Sequence, residues 1–522
     1  MDLRGAQQPA RQVPARHLQV SRLASTPGAL PAAQWLALGL LIWPWVTAWT
    51  PGPLYHLPPL LQSGVCLGLL WLLGLRPRVD QLALAWVLAA LFNALVGLLQ
   101  YAGWAHWGGG LLYEPAVLGE AMGQLRQRNQ LASLLAIGTL ALIWGQAHAG
   151  WRLRWVWPSL LLLSLGLAAT GSRTGLLHSG LIVALTLWWW RRGGASAWAP
   201  LLAGAGLLLH VGFSLSLPAL LLALGGPDVS GALARMGQMQ GCGSRQVLWG
   251  NVWHLILQQP WTGWGPDALK GAHYLANYPG ERFCDILGNA HNLFLHLAFV
   301  AGLPAAGLAL ALLLAALWRL RPWQVRAPAA LLGWAVLAIV GLHSLLEFPL
   351  WYGPFQIATL LALGLVLRGQ PVPGPAAGWR VLGAVLLLLC AQVGLDYVRV
   401  RQVFVPPEQR LLWGGVPAWP RASQTVWFQD TYRFAVYVTT DVRPDNAAWA
   451  LQEGLALLNY SPEPRVIDRI ICSAGLLGQH ALARDHGLRR LPPAPGKSPA
   501  SAGEFTDAAP ASGCYTPKPE GE

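Results

Sequence analysis

The sequence predicts an all-α, polytopic membrane protein with about eleven transmembrane helices, a large periplasmic loop and a periplasmic C-terminal helical tail. Three observations predict it. Hydrophobic residues make up 54% of the 522 and charged residues only 11%, where a soluble domain carries about 25% charged. Apolar runs close to the ~20 residues that a bilayer core requires recur up to about residue 400. Alternate gaps between them carry arginine, as cytoplasmic loops do.

Residues 1–32 are basic and Pro/Ala-rich with no apolar core, and read as a cytoplasmic N-terminus. The run from Ala33 to Trp49 has no small-residue cleavage site and reads as an uncleaved anchor. Further spans are read at 57–75, 81–101, 130–147, 155–170, 175–190 and 198–224, completing an N-terminal bundle over 33–224. A long loop covers 225–291. Spans at 292–318, 328–346, 350–368 and 380–397 form a second bundle over 292–397, which carries two histidine-containing segments. Residues 398–491 show helical patterns near 428–440, 446–459, 463–475 and 477–489, which predict packed α-hairpins. Residues 492–522 are Pro/Ser/Gly/Ala-rich and predict disorder.

The arginines orient the chain. Arg76/Arg78, Arg152/Arg154, Arg191/Arg192, Arg319/Arg321/Arg326 and Arg368/Arg380 fall with the N-terminus on one side if the spans alternate. That side is assigned to the cytoplasm. The formal charge of +13 therefore marks orientation and gives no reason to expect a nucleic-acid partner. The opposite side receives the 102–129 loop, the turn at Thr170–Thr174, the 225–291 loop and the tail. Cys242 and Cys284 share the outward loop and Cys472 and Cys514 share the tail, a distribution that suits an oxidising compartment; Cys66 and Cys390 lie within spans.

Ionisable groups that stay near lipid usually do chemistry or line a path. His343 and Glu347 are four apart at the outer end of a span and share a helix face. The carboxylate there would fix the imidazole tautomer and leave the other nitrogen to take a proton, or the two would form a polar cap at the interface. His291, between Asn289 and Asn292, reads equally as a functional histidine and as part of a helix cap, and His296 as an interior histidine. Outward arginines break the positive-inside pattern: Arg126, Arg128, Arg173, Arg235, Arg245 and Arg282. Guanidinium forks match phosphate oxygens, so several converging on one cavity would hold a pyrophosphate. No D-x-D-type carboxylate pair, P-loop, Rossmann fingerprint, H-E-x-x-H or paired C-x-x-C occurs, so a metal or nucleotide site has little support.

With these residues in hand, the chain resembles the bacterial O-antigen ligase/polymerase superfamily, and within it the protein O-oligosaccharyltransferases. Asn289-Ala290-His291-Asn292-Leu293-Phe294-Leu295-His296, running to Gly302-Leu303-Pro304, is similar to the H-N-x-[FL]-L…G-L-P signature. His343-Ser344-Leu345-Leu346-Glu347-Phe348-Pro349-Leu350-Trp351-Tyr352 resembles the H-S-x-[LF]-E-[FY]-P-L-x-Y block, with Phe348 where many members carry tyrosine. Gln124 to Gln130 and Ser172-Arg173-Thr174 resemble the R-Q-x-N-x-x-A and S-R-[ST] elements. The resemblance implies a multi-pass enzyme of the bacterial inner membrane, active on the periplasmic side, without cofactor or metal. Its donor would be a glycan on undecaprenyl pyrophosphate, and its acceptor a Ser or Thr of a periplasmic protein such as a type IV pilin. His343, Glu347 and His291 would be catalytic, and Arg173, Arg126, Arg128 and Arg245 would hold the donor pyrophosphate. Asn292 and Tyr352 would position substrate, and a Cys242–Cys284 disulfide would clip the loop. Ligation of O-antigen to lipid A core and polymerisation of repeat units share this donor chemistry. A transporter is the alternative from another class, but coupled transporters carry acids or cations deep within spans, where this chain offers mainly His178 and His210.

Overall fold

The computed structural model describes residues 31–47, 54–115, 118–229, 241–374, 376–406, 408, 410 and 422–489. Among these the fold is all-α, with seventeen α-helices. The first bundle holds α1 (Ala32–Val46), α2 (Leu57–Leu72), α3 (Val79–Tyr101), α4 (Arg128–His148), α5 (Leu153–Ala169), α6 (Arg173–Arg191) and α7 (Trp198–Ala223). The loop that follows contributes α8 (Arg245–Gln258) and α9 (Leu269–Leu275). Then come α10 (Leu293–Leu320), α11 (Pro328–Ser344), α12 (Gly353–Arg368) and α13 (Ala377–Arg401). The tail is α14 (Gln429–Thr439), α15 (Ala447–Leu457), α16 (Pro464–Leu476) and α17 (His480–Arg489). Every segment read as a span is helical, and α3, α4, α7, α10 and α13 are long and apolar enough to cross a membrane.

α4 is the hub. It is buried along most of its length between α3, α5, α6 and α11, as a helix that is apolar all round should be. Gln127 caps it by accepting the Gln130 N–H at 2.7 Å. Buried amides on α3 fix the loop leading into α4. Asn93 Oδ1 accepts the Gln124 N–H (2.9 Å), and Gln100 Oε1 accepts those of Met122 (2.8 Å) and Gly123 (2.7 Å). Each bond satisfies a polar group that would otherwise be costly to bury. Together they hold residues 122–128 in one place above the bundle.

α10 departs from the single span expected at 292–318. Gly302, at φ 85° and ψ 165°, breaks it, and Pro304 follows. The freed backbone groups are taken up by the loop: Trp264 N–H donates to Phe299 O (2.8 Å), Gly265 N–H to Val300 O (3.0 Å) and Leu303 N–H to Pro260 O (2.8 Å). Broken backbone near a membrane is tolerated where other protein groups satisfy it. A Cβ on Gly302 would stand 2.3 Å from the Trp261 carbonyl oxygen, so only glycine fits this crossing. The Gly-Leu-Pro element is thus the socket into which the loop plugs.

The tail folds onto that loop. Tyr274 of α9 shares one apolar cluster with Tyr437, Leu451, Ile467 and Ile470. Its hydroxyl lies 2.8 Å from His486 Nδ1, and Lys270 Nζ donates to the Tyr460 carbonyl at 2.7 Å. At the tail's root, Asp396 Oδ2 accepts from Thr425 Oγ1 (2.8 Å) and from the N–H groups of Val426 and Trp427 (2.9 Å each). The four expected tail helices lie within a few residues of α14–α17. The expectation for 492–522, the pairing of Cys514 and Arg235 fall outside the described residues.

Candidate active site

A cavity of about 490 Å3 opens between the bundle and the loop, within the range of small-molecule sites. Its walls come from the start of α4 (Arg128, Asn129), the start of α6 (Ser172, Arg173), the start of α8 (Gly243, Arg245), Phe283, His291 and Glu347. The starts of α4 and α6, the residues just past α11 and the loop helix α8 meet there.

Glu347 is the centre. It follows the last turn of α11 and is only 6% exposed. Its Oε1 accepts from Asn129 Nδ2 at 2.9 Å and from Arg245 Nη2, and its Oε2 lies 2.7 Å from His291 Nδ1. Arg245 is held further by its Nε–H donating to the Leu346 carbonyl at 2.9 Å. Burial alone would raise the Glu347 pKa, but the His291 hydrogen bond, the His291 and Arg245 charges and the Asn129 bond outweigh it. The net shift is below the ordinary carboxyl value, so Glu347 is a carboxylate at neutral pH. Removing one member of such a buried pair typically costs about 3–5 kcal/mol, because the partner charge is left uncompensated.

A carboxylate accepts only, so the proton between them belongs to His291 Nδ1. With Nδ1 engaged by the carboxylate, Nε2 is the ring nitrogen left to exchange a proton with a substrate. His291 lies at φ 51°, left-handed for a residue with a Cβ. Asn289 Oδ1 holds it there by accepting its N–H at 2.9 Å, and the Phe348 ring meets the imidazole edge-on at 5.0 Å. Outliers of this kind persist where the surroundings over-determine them, and they cluster at functional sites.

Among the described residues that line the cavity, Arg128, Arg173 and Arg245 set three guanidiniums against one carboxylate, a balance suited to an anionic ligand. Arg128 also bridges Glu120 at 3.0 Å. Among the described residues no three His, Cys, Asp or Glu side chains group as metal ligands would.

The expected pairing of His343 with Glu347 does not form. Glu347 lies beyond the end of α11 and turns to His291, Arg245 and Asn129, while His343 is fully buried within α11. His343 Nδ1 lies 2.7 Å from Ser133 Oγ, and Ser133 Oγ in turn donates to the Asn129 carbonyl at 3.1 Å. A chain of contacts therefore runs from His343 through Ser133 and Asn129 to Glu347. Arg126 is also displaced: its guanidinium stacks 4.5 Å over the Tyr113 ring, outside the cavity wall. Tyr352 is buried behind the site, its ring edge-on to His56 at 4.7 Å, so it does not reach the cavity. Asn292 caps α10 by accepting the Leu295 N–H (3.0 Å) and donates to the Leu345 carbonyl (3.0 Å), joining the two histidine blocks. Arg282 donates to the carbonyls of His273 and Tyr274, both at 2.8 Å, and serves the loop's own structure. Cys242 and Cys284 form a disulfide.

Sequence reasoning passed over Asn129 and Ser172. Ser172 Oγ donates to Asn129 Oδ1 at 2.7 Å and so aims the Asn129 amide at Glu347. Both lie in segments already singled out, at the starts of α4 and α6. A polar residue in the first turn of a buried helix was the available signal.

Residues 158–310 match a family described as O-antigen ligase, and residues 331–491 match the C-terminal region of a virulence-factor membrane-bound polymerase. Residues 121–144 match a protein glycosylation ligase family. No curated protein matches the chain. These matched segments carry every residue that lines the Glu347 cavity. The apolar helices and the matches together support a membrane-bound, glycan-transferring enzyme, similar over these segments to the O-antigen ligase, membrane-bound polymerase and protein glycosylation ligase families.

Proposed function

We propose that the protein moves a glycan from undecaprenyl pyrophosphate to a Ser or Thr hydroxyl of a periplasmic protein, at the outer face of a bacterial inner membrane. The observation that carries this reading is one cavity holding an oriented histidine–carboxylate pair together with Arg128, Arg173 and Arg245. In the proposed step the acceptor oxygen attacks the anomeric carbon from the face opposite the pyrophosphate. His291 Nε2 takes the hydroxyl proton as the new C–O bond forms. The bond to the carrier breaks, its electron pair stays on the pyrophosphate, and the arginines stabilise that charge. Glu347 holds the His291 tautomer and the Arg245 guanidinium in register. His343 is a positioning residue, acting on Glu347 through Ser133 and Asn129. The site as read needs no metal or cofactor.

The protein acceptor is supported by the match of residues 121–144 to a protein glycosylation ligase, since that stretch contains Asn129 and Ser133. The O-antigen ligase and polymerase matches favour a second reading, in which the acceptor is itself a glycan or lipid A core. Intact-mass spectrometry of a type IV pilin separates them, using cells that make a lipid-linked glycan with and without this protein. A glycan-sized mass increase only with the protein supports the first reading. No increase, with altered lipopolysaccharide laddering in the null strain, supports the second.

A further inference from the structure

A second cavity, of about 530 Å3, lies on the other side of α8. Arg245 and Leu248, three apart, line the first cavity, while Val247, Asn251 and His254 follow the helical repeat along the second. The far wall of the second cavity is the segment from Tyr278 to Glu281. The two cavities meet at a divide made of residues 241–244 and 281–284, tied by the Cys242–Cys284 bond. Gly243 faces the first cavity and Gly241 the second. At those two positions no side chain stands between the cavities. Asn251 pins the far wall to α8: its Nδ2 donates to the Glu281 carbonyl (3.0 Å) and its Oδ1 accepts the Phe283 N–H (2.8 Å).

The chemistry of the second cavity differs from that of the first. Among the described residues lining it there is no lysine or arginine, so a phosphate has no counter-charge. Ser244, Gln246, His254 and Glu281 offer neutral donors and acceptors and one carboxylate. The Tyr278 ring is fixed, with His254 at 5.4 Å and His273 at 5.5 Å between centroids and its hydroxyl 2.8 Å from His273 Nδ1. An aromatic face beside amide and carboxylate groups suits a ligand that alternates hydroxyls with C–H surfaces.

We infer that this cavity binds the sugars of the donor glycan beyond the one whose bond is broken, after the chain crosses the 241–244 divide. The inference rests on the glycan-transfer reading of the Glu347 site and adds to it a subsite that selects for glycan length. Full-length protein in membranes is supplied with equal amounts of two donors on polyprenyl pyrophosphate, one bearing a single N-acetylhexosamine and one bearing an oligosaccharide built on it. The ratio of the two products on a Ser/Thr protein acceptor is read by intact mass. Tyr278→Ala, and separately the Gln246→Ala/His254→Ala pair at exposed and half-buried positions, should lower the oligosaccharide-to-monosaccharide ratio about tenfold. Monosaccharide transfer should stay at the wild-type rate. An unchanged ratio overturns the subsite. Equal loss with both donors also overturns it, and places the acceptor, or only loop structure, at this cavity. If the wild type glycosylates protein with neither donor, the underlying reading fails and the subsite with it.

Discussion

The two histidine blocks converge on one carboxylate yet give their histidines opposite surroundings. His291 lies on a strained turn at a cavity wall, with a carboxylate on one nitrogen and three guanidiniums nearby. His343 is sealed among α4, α6 and α12, edge-on to His178 at 6.0 Å and to Phe355 at 5.9 Å, with the Ser133 hydroxyl as its hydrogen-bond partner. A proton acceptor must reach its substrate, whereas a buried imidazole with a single hydroxyl partner fixes geometry. Burial separates the two roles: His343 is fully buried, while the His291 side chain keeps 30% of its exposure.

That contrast is broken or sharpened by substitution. Glu347→Gln removes the charge shared by both partners, and transfer should fall roughly a thousandfold. Activity within a few fold of wild type would mean that Glu347 is only a bundle cap. His291→Gly is the cleaner test of the imidazole, because glycine adopts φ 51° without strain. It should cost about a hundredfold in rate, with a melting temperature lowered no further than in Glu347→Gln, because Arg245 and Asn129 still hold the carboxylate. His343→Ala should act mainly on stability: a lower melting temperature, from a cavity and the lost Ser133 contact worth about 1–3 kcal/mol, with less than about tenfold loss of rate after folding is corrected for. If His343→Ala abolishes transfer while leaving the melting temperature alone, the two histidines exchange roles.

The pH dependence of stability gives a smaller signal. The Glu347 pKa is lowered in the folded state, so its contribution is complete above the unfolded value and is lost as pH falls through the folded one. The melting-temperature gap between wild type and Glu347→Gln should therefore be constant from neutral pH down to the ordinary carboxyl value of 4.5 and narrow below it. A gap that widens on acidification would mean that Glu347 is protonated in the fold. The smallest effect belongs to Cys242→Ser/Cys284→Ser. The bond lies three residues before Arg245, which is also held by Glu347 and Leu346. Transfer should drop only a few fold, within about 1 kcal/mol, and a hundredfold loss would make the disulfide the main support of the arginine.

Much of this was legible in the sequence, because membrane solvation writes itself into composition. The apolar helices and the tail helices follow from apolar length and periodicity, and the Cys242–Cys284 bond joins two cysteines that the sequence places in one loop. The Glu347 partnerships were not legible. Four-residue spacing puts His343 and Glu347 on one face only if the helix continues, and α11 ends at Ser344 before Pro349. The contacts that replaced that pair span 218, 102 and 56 residues of chain, and no local pattern specifies them. Arg126 was misread for a related reason: its backbone is left-handed at φ 61°, which turns its side chain to Tyr113 while Arg128 enters the cavity.

The packing of α9 into the tail has a consequence for how the protein is made. Tyr274 finds its partner His486 only 212 residues later in the chain. At ribosomal speeds of about 5–20 residues per second, the gap is on the order of 10–40 s. Through that interval Tyr274 lacks the tail residues of its apolar cluster, Tyr437, Leu451, Ile467 and Ile470 among them. A chain truncated just before α15 would leave the ribosome with α1–α14 complete and Tyr274 without Leu451, Ile467, Ile470 and His486.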